Sequence, residues 1–213
     1  MKLILIGPPG AGKGTQGELL SQHFQIPKIS TGDILRAEIK NQTEAGKEVE
    51  KLMSEGKFAS DELIIDIVKN RVLEKDCENG YILDGCPRTL AQAEAIEKAK
   101  IAIDYVVNFE VPSEQLLERL TGRRIHLDSG RVYHVVYNPP KEEGIDDITS
   151  EALTQRADDT REVVAERLKQ YDDLTMPVVN FYKNNDISSV KFINIDANKG
   201  VEDIQKLLLN SLK

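Results

Sequence analysis

Residues 7–15 read GPPGAGKGT and follow the apolar run Leu3-Ile4-Leu5-Ile6. The stretch nearly satisfies the pattern G-x-x-x-x-G-K-[ST], in which a glycine-rich turn between a strand and a helix gathers backbone N–H groups around phosphate oxygens. Any β-to-α connection needs such a turn. Here the glycine spacing, Lys13, Thr15, the strand before and the helical pattern after all agree, and they read as a phosphate loop. Lys13 brings a point charge to the outer phosphates. One position departs: Gly14 stands where most such loops place the hydroxyl that holds Mg²⁺. Something else must then handle the metal.

Outward from the loop, short and nearly continuous apolar runs at residues 3–6, 81–83, 105–111 and 190–195, with a weaker one at 27–29, read as strands buried on both faces. Helical periodicity falls between them, at residues 14–24, 61–75, 89–99, 113–120, 160–182 and 201–212. Strand alternates with helix, which predicts an α/β doubly wound sheet. Two regions break the rhythm. Residues 30–59 are helical and rich in Lys and Glu, and residues 122–159 carry Gly122, Gly130, Pro139, Pro140 and Gly144 around a predicted β meander, RVYHVVYNPP. Neither can build a large core alone, so both read as small inserts, the kind of segment that forms mobile lids.

A chain of 213 residues with 40% hydrophobic content supports one sizeable core. Its net charge of −8 and pI of about 5.1 argue against a general nucleic-acid binder, which needs a basic face. Cys77 and Cys86 have neither disulfide-framework nor zinc-knuckle spacing and read as free thiols. No apolar run reaches membrane-spanning length. The expectation is a cytoplasmic protein with no membrane or nucleic-acid partner.

Further chemistry sits in ILDGCPRT, residues 82–89. A buried strand ending at Asp84 sets a carboxylate at the carboxyl edge of the sheet, where ligands bind in open α/β folds. Beside a phosphate loop it suits a metal or its waters, although Asp-Gly also favours plain turns. Arg88 falls just beyond the same edge. Arg119 and Arg123 share a helix face, and Arg156 and Arg167 flank the start of the long later helix. Each alone reads as a surface charge. Together, arginines bracketing both inserts of an acidic protein read as a phosphate clamp, for which the planar bidentate guanidinium is suited.

Along almost its whole length the sequence resembles the bacterial adenylate kinases. The loop GPPGAGKGTQ, then ISTGDILR, DGCPRT, GRRIHLDSGRVYHVVYNPP and RADDTREVVAERLKQY are each similar to family motifs and occur in family order. Gly14 followed by Thr15 is itself a family trait. The resemblance implies a five-stranded parallel sheet in a phosphate-loop core (residues 1–29, 60–121 and 160–213), an AMP-binding insert at 30–59 and a lid at 122–159. It implies that Gly10, Ala11, Gly12, Lys13, Gly14 and Thr15 wrap the ATP phosphates. Arg119, Arg123, Val132, Tyr133 and Lys199 then frame the rest of ATP. Thr31, Arg36, Lys57, Phe58, Ala59, Gly85, Cys86, Pro87, Arg88 and Gln92 form the AMP site, with Arg156 and Arg167. Lys13, Asp84, Arg88, Arg123, Arg156 and Arg167 would surround the transferring phosphoryl group.

The same resemblance implies Mg²⁺ bound with the nucleotide, its waters held by Asp84 and Asp33. Outer-sphere holding is sensible because Mg²⁺ sheds water reluctantly. The implied reaction is MgATP + AMP ⇌ MgADP + ADP by a monomer. Some relatives close the lid on a structural zinc with cysteines, and residues 122–159 hold none. His126, Ser129, Asp146 and Thr149 stand in their place and read as a hydrogen-bonded, metal-free cluster. Cys86 replaces the aromatic usual in the family, and Gly17 replaces a better helix former.

Rival readings fare less well. A uridylate or guanylate kinase is the nearest, but the long lid and Gln92 favour AMP. A GTPase switch needs N-K-x-D, and Asn198-Lys199-Gly200-Val201 lacks the aspartate. A catalytically dead relative would have lost phosphate-facing charges that this chain keeps.

Overall fold

A computed structural model describes residues 1–184 and 190–212; part of the expected core segment, residues 185–189 and 213, lies outside them. Five strands form one parallel sheet: β1 (Lys2–Ile6), β2 (Lys28–Ser30), β3 (Tyr81–Asp84), β4 (Tyr105–Glu110) and β7 (Lys191–Asp196), in the order β2-β3-β1-β4-β7. Two more, β5 (Arg123–Ile125) and β6 (Val132–His134), pair antiparallel in a separate two-stranded sheet.

The period-2 geometry of a strand explains the continuous apolar runs. Leu3 and Leu5 of β1 enter one buried layer with Ile82, Val107 and Phe109. Ile4 and Ile6 enter the opposite layer with Leu83 and Val106. Helices cover both faces. α1 (Lys13–Phe24) and α9 (Val201–Ser211) lie on the first; α4 (Asp61–Arg71), α5 (Leu90–Lys98) and α8 (Met176–Asn184) lie on the second. Leu3, Ile4 and Leu5 are essentially inaccessible to solvent, and truncating any of them to alanine costs about 2–5 kcal/mol.

β1 lies between β3 and β4: the chain runs from β1 out to β2 on one side, and the connection from β3 to β4 crosses to the other. That switch point is where open α/β sheets bind ligands. Leu5 pairs in register with Asp84, which brings the loop after β1 and the end of β3 to one edge.

In the first insert, α2 (Thr31–Lys40) and α3 (Glu44–Ser54) form a tight helical pair. Ser30 and Thr43 cap them, accepting from Asp33 N and Gly46 N. A Cβ at Gly46 would lie 2.2 Å from the Glu38 carbonyl oxygen, so only glycine permits this approach. The second insert follows α6 (Ser113–Thr121) and is held by β5, β6 and the single bridges Ile125–Thr154 and Ile145–Ala152.

Three expectations need correction. The β meander is one short strand, β6, because the chain turns where the N–H groups of Val136 and Tyr137 both donate to His134 Nδ1 at 3.0 Å. The helix predicted for residues 61–75 stops at Arg71, whose side chain reaches forward to grip Asp76. The helix predicted for residues 160–182 is interrupted: α7 (Arg161–Gln170) passes through a π-helical turn, Tyr171–Thr175, before α8.

Candidate functional site

A cleft of about 1470 Å³ opens along the carboxyl edge of the sheet, between the core and the two inserts. The phosphate loop forms its floor. Gly12 caps α1 with φ of 86° and ψ of 8°, a left-handed conformation that aims the first N–H groups of the helix into the cleft. Lys13 Nζ donates to the carbonyls of Gly7 (2.7 Å) and Pro8 (2.9 Å) and so braces the loop from within. Burial pushes the Lys13 pKa down to about 8; Asp84 partly restores it, while Arg88, Arg167 and Arg123 lower it further.

The geometry accounts for Gly14. A Cβ there would stand 3.7 Å from Asp84 Oδ2, so the residue faces the carboxylate directly and leaves the space before it open. Among the described residues no hydrogen bond or ion pair engages the Asp84 side chain. A free, hard oxygen donor facing a phosphate loop across an open gap fits a hydrated Mg²⁺. Asp33 is placed differently. Arg36 Nη2 donates to its Oδ1, and Arg156 Nη2 lies 3.6 Å from the same oxygen. Both contacts are to Oδ1, so its charge answers the arginines while Oδ2 of this half-exposed side chain stays open toward the cleft beside Asp84.

The predicted arginines do converge. Arg123 grips Asp159 bidentately, Nε to Oδ2 at 2.8 Å and Nη2 to Oδ1 at 2.6 Å. Arg167 Nη1 donates to the same Oδ1 at 3.0 Å and to the Asp158 carbonyl at 2.9 Å. Arg88 Nε donates to the Gly85 carbonyl at 2.8 Å, with its guanidinium 5.1 Å from the centre of the Phe58 ring. Arg156 Nε is buried with no partner among the described residues. Burial, followed by the neighbouring cations, lowers the pKa of Arg88 and takes Arg156 to about 10; burial lowers Arg167 as well. Crowded, mutually repelling, partly desolvated cations are what a multivalent anion relieves.

Around this centre the cleft has two lobes. On one side Arg119 Nη1 donates to the Ala197 carbonyl at 3.0 Å, near Lys199, with Val132 and Tyr133 opposite. The Tyr133 hydroxyl is already committed to Asp146 at 3.1 Å. On the other side lie Thr31, whose Oγ1 donates to the Gly85 carbonyl at 3.0 Å, Arg36, Lys57, Phe58, Ala59, Pro87 and Gln92. Gln92 is 1% exposed, and its carboxamide already makes two internal hydrogen bonds.

Two expected residues do not present side chains to the cleft. Ala11 packs its methyl into the core layer beneath the loop. Cys86, expected in the AMP site, points into the opposite core layer, where burial pushes its thiol up to about 12. Its neighbours Gly85, Pro87 and Arg88 line the cleft and it does not, because in this irregular turn its side chain is the one packed into the core.

The expected polar cluster of the second insert is present and larger than its four members. His126 Nδ1 meets Ser129 Oγ at 2.7 Å, and Thr149 Oγ1 lies 3.2 Å from His126 Nε2 and donates to Asp146 Oδ2 at 3.0 Å. Arg131 closes on Asp146 bidentately at 2.8 and 2.7 Å, and Glu151 accepts from His126 Nε2. The Arg131 hydrogen bonds hold the Asp146 carboxyl well below the usual carboxylate range. Among the described residues no group of three or more His, Cys, Asp or Glu could hold a metal ion. None of their helices is long and apolar enough to cross a membrane.

Sequence reasoning missed Asp158 and Asp159, which orient Arg123 and Arg167, and Thr175, whose Oγ1 donates to the Arg88 carbonyl at 2.9 Å. The adjacent acids between Arg156 and Arg167 were a readable signal. Thr175 was not, because its aim depends on the π-helical turn.

A phosphate loop at the switch point of a parallel sheet, facing converging arginines and two lobes, defines a nucleotide phosphotransferase. Residues 5–187 match the family model described as adenylate kinase, and the chain belongs to that family, the adenylate kinases, within the nucleoside monophosphate kinases.

Proposed function

We propose that this chain catalyses MgATP + AMP ⇌ MgADP + ADP, serving adenine nucleotide balance as a cytoplasmic monomer. One observation carries the reading: Lys13, Arg88, Arg123, Arg156 and Arg167 meet along one cleft of about 1470 Å³ with too little carboxylate to neutralise them. The phosphate-loop lobe takes ATP, with Gly10–Thr15 backbone around its phosphates and Arg119, Val132, Tyr133 and Lys199 beside its nucleoside. The lobe of Thr31, Arg36, residues 57–59, Gly85, Arg88 and Gln92 takes AMP.

An oxygen of the AMP phosphate forms a bond to the γ-phosphorus of ATP as the bond to the β,γ-bridging oxygen breaks, and the electron pair leaves with ADP. Little covalent work falls to the protein, which aligns two anions and spreads the equatorial charge over its arginines. Asp84 and Asp33 would hold the waters of a nucleotide-bound Mg²⁺, which supplies charge neutralisation on the phosphates. We infer that residues 30–59 and 122–159 are the AMP-binding insert and the lid, closing to exclude water as an unwanted acceptor. A coupled assay of ADP formation from ATP with AMP, CMP, UMP and GMP tests the reading. AMP is expected to be the preferred acceptor by a wide margin; equal use of all four rejects it.

A further inference from the structure

The next inference rests on Gln92 as the side chain that meets the acceptor base. A primary carboxamide carries an oxygen with two lone pairs and a nitrogen with two hydrogens. A half-turn about its last bond exchanges the two ends without changing its shape. Adenine offers an N–H donor beside a ring-nitrogen acceptor. Guanine and uracil offer a carbonyl beside a ring N–H, the opposite order. A carboxamide free to turn matches either.

Gln92 is not free to turn. Its Oε1 accepts from the backbone N–H of Arg88 at 2.7 Å, and its Nε2 donates to Asp61 Oδ1 at 2.8 Å. A backbone N–H cannot accept and an ionised carboxylate cannot donate. Turning the amide would set donor against donor and acceptor against acceptor, with both internal hydrogen bonds lost in a buried place. Asp61 is itself fixed. It opens α4, and Thr89 Oγ1, the cap of α5, donates to the same Oδ1 at 2.9 Å. Neither Asp61 nor Thr89 lines the cleft. The hydrogen bonds already made leave one lone pair on Oε1 and one hydrogen on Nε2, which is the complement of an adenine edge.

We propose that Asp61 is a specificity-determining positioning residue: by accepting from Gln92 Nε2 it locks the carboxamide in the orientation that takes adenine and rejects bases of the opposite order. Asp61→Leu removes the acceptor at similar volume. The preference for AMP over GMP and UMP in kcat/KM then falls about tenfold or more, the scale of one hydrogen bond to a charged group. The change is carried by KM for the monophosphate, while KM for ATP holds. Asp61→Asn keeps an oxygen that can accept from Gln92 and retains most of the preference. An unchanged preference in Asp61→Leu overturns the lock. So does an equal fall in both variants, which assigns the effect to the charge at the start of α4. A second readout needs no variant: NMR of the Gln92 side-chain amide in the wild-type protein. Amide protons shifted downfield and protected from exchange, as a hydrogen bond to the Asp61 carboxylate requires, support the lock, and random-coil shifts with fast solvent exchange defeat it. A wild-type enzyme with no preference for AMP overturns the functional reading itself, and is seen before any variant is made.

Discussion

At the scale of single residues, Lys13 shows how the site handles charge before a nucleotide arrives. Its ammonium is satisfied by two carbonyls of its own loop, yet burial and three arginines bring its pKa down to about 8. Phosphate oxygens favour the charged form and raise that pKa again. In the free enzyme Lys13 is charged below pH 8 and loses its proton as pH rises through that value. We therefore expect kcat/KM for ATP, which reports the free enzyme, to fall above about pH 8. Lys13→Met lacks that descending limb. Both it and Arg88→Gly lower kcat by a factor on the order of 10³, as loss of a charge at a transferring phosphoryl group does, with unchanged circular dichroism. Near-normal turnover in either variant contradicts the assignment. Gly17 illustrates the opposite case. The glycine predicted to weaken α1 by about 1 kcal/mol is buried, and a Cβ there would sit 3.1 Å from both Leu5 Cδ1 and Lys28 Cδ. What the helix loses in propensity it recovers in closeness to the sheet.

At the scale of elements, the second insert is tied together by a hydrogen-bonded polar cluster. The His126, Asp146, Thr149 and Arg131 cluster ties β5 and β6 to the segment that returns to the core. His126→Ala should speed amide hydrogen exchange across residues 122–159 and leave β1, β3 and β4 protected, since the cluster shares no core contact with them. EDTA should not change the melting temperature, and metal analysis should find no zinc. Stoichiometric zinc, or a lower melting temperature in EDTA, refutes a metal-free insert.

How far such elements were legible follows from where their signals lie. β1 was plain because both its faces are buried, which leaves an unbroken apolar run. The phosphate loop was plain because its glycines answer a local demand of the backbone. The π-helical turn at Tyr171–Thr175 leaves no compositional mark, since an extra residue in a turn changes register and not hydrophobicity. Cys86 was misplaced for a related reason: the direction of a side chain in an irregular turn is set by tertiary packing. Asp159 was overlooked because acids before a helix usually serve its dipole, whereas this one is fully buried between two arginines.

At the scale of the whole molecule, an acidic exterior surrounds a basic cleft, and several neutral acids are locked in the core. Cys86 is raised from 9.0 to about 12, and Tyr81 and Tyr171 from 10.0 to about 12, each chiefly by burial. The unfolded chain loses these protons at their ordinary values and the native protein keeps them to about pH 12. Above pH 9 the unfolded state therefore binds fewer protons, and stability declines with rising pH. For Cys86 the slope approaches about 1.4 kcal/mol per pH unit between the two values. Urea unfolding at pH 8, 10 and 11 checks this; a flat or rising stability over that range shows the groups are not held neutral.

Asp159 joins the two ends of the second insert. Arg123 begins β5, where the chain leaves the core, and Asp159 lies just before Thr160, the cap of α7, where it comes back; Arg167 of α7 holds the same carboxylate. We infer that this single buried anion serves as the pivot of the proposed closure. On that reading the segment between would swing while Asp159 ties its two roots together, and Arg123 and Arg167 would stay with the axle and not with the moving arm. Each cycle of the proposed closure would then return to the same charge geometry, and the machine would have no need to rebuild its electrostatics on every turnover.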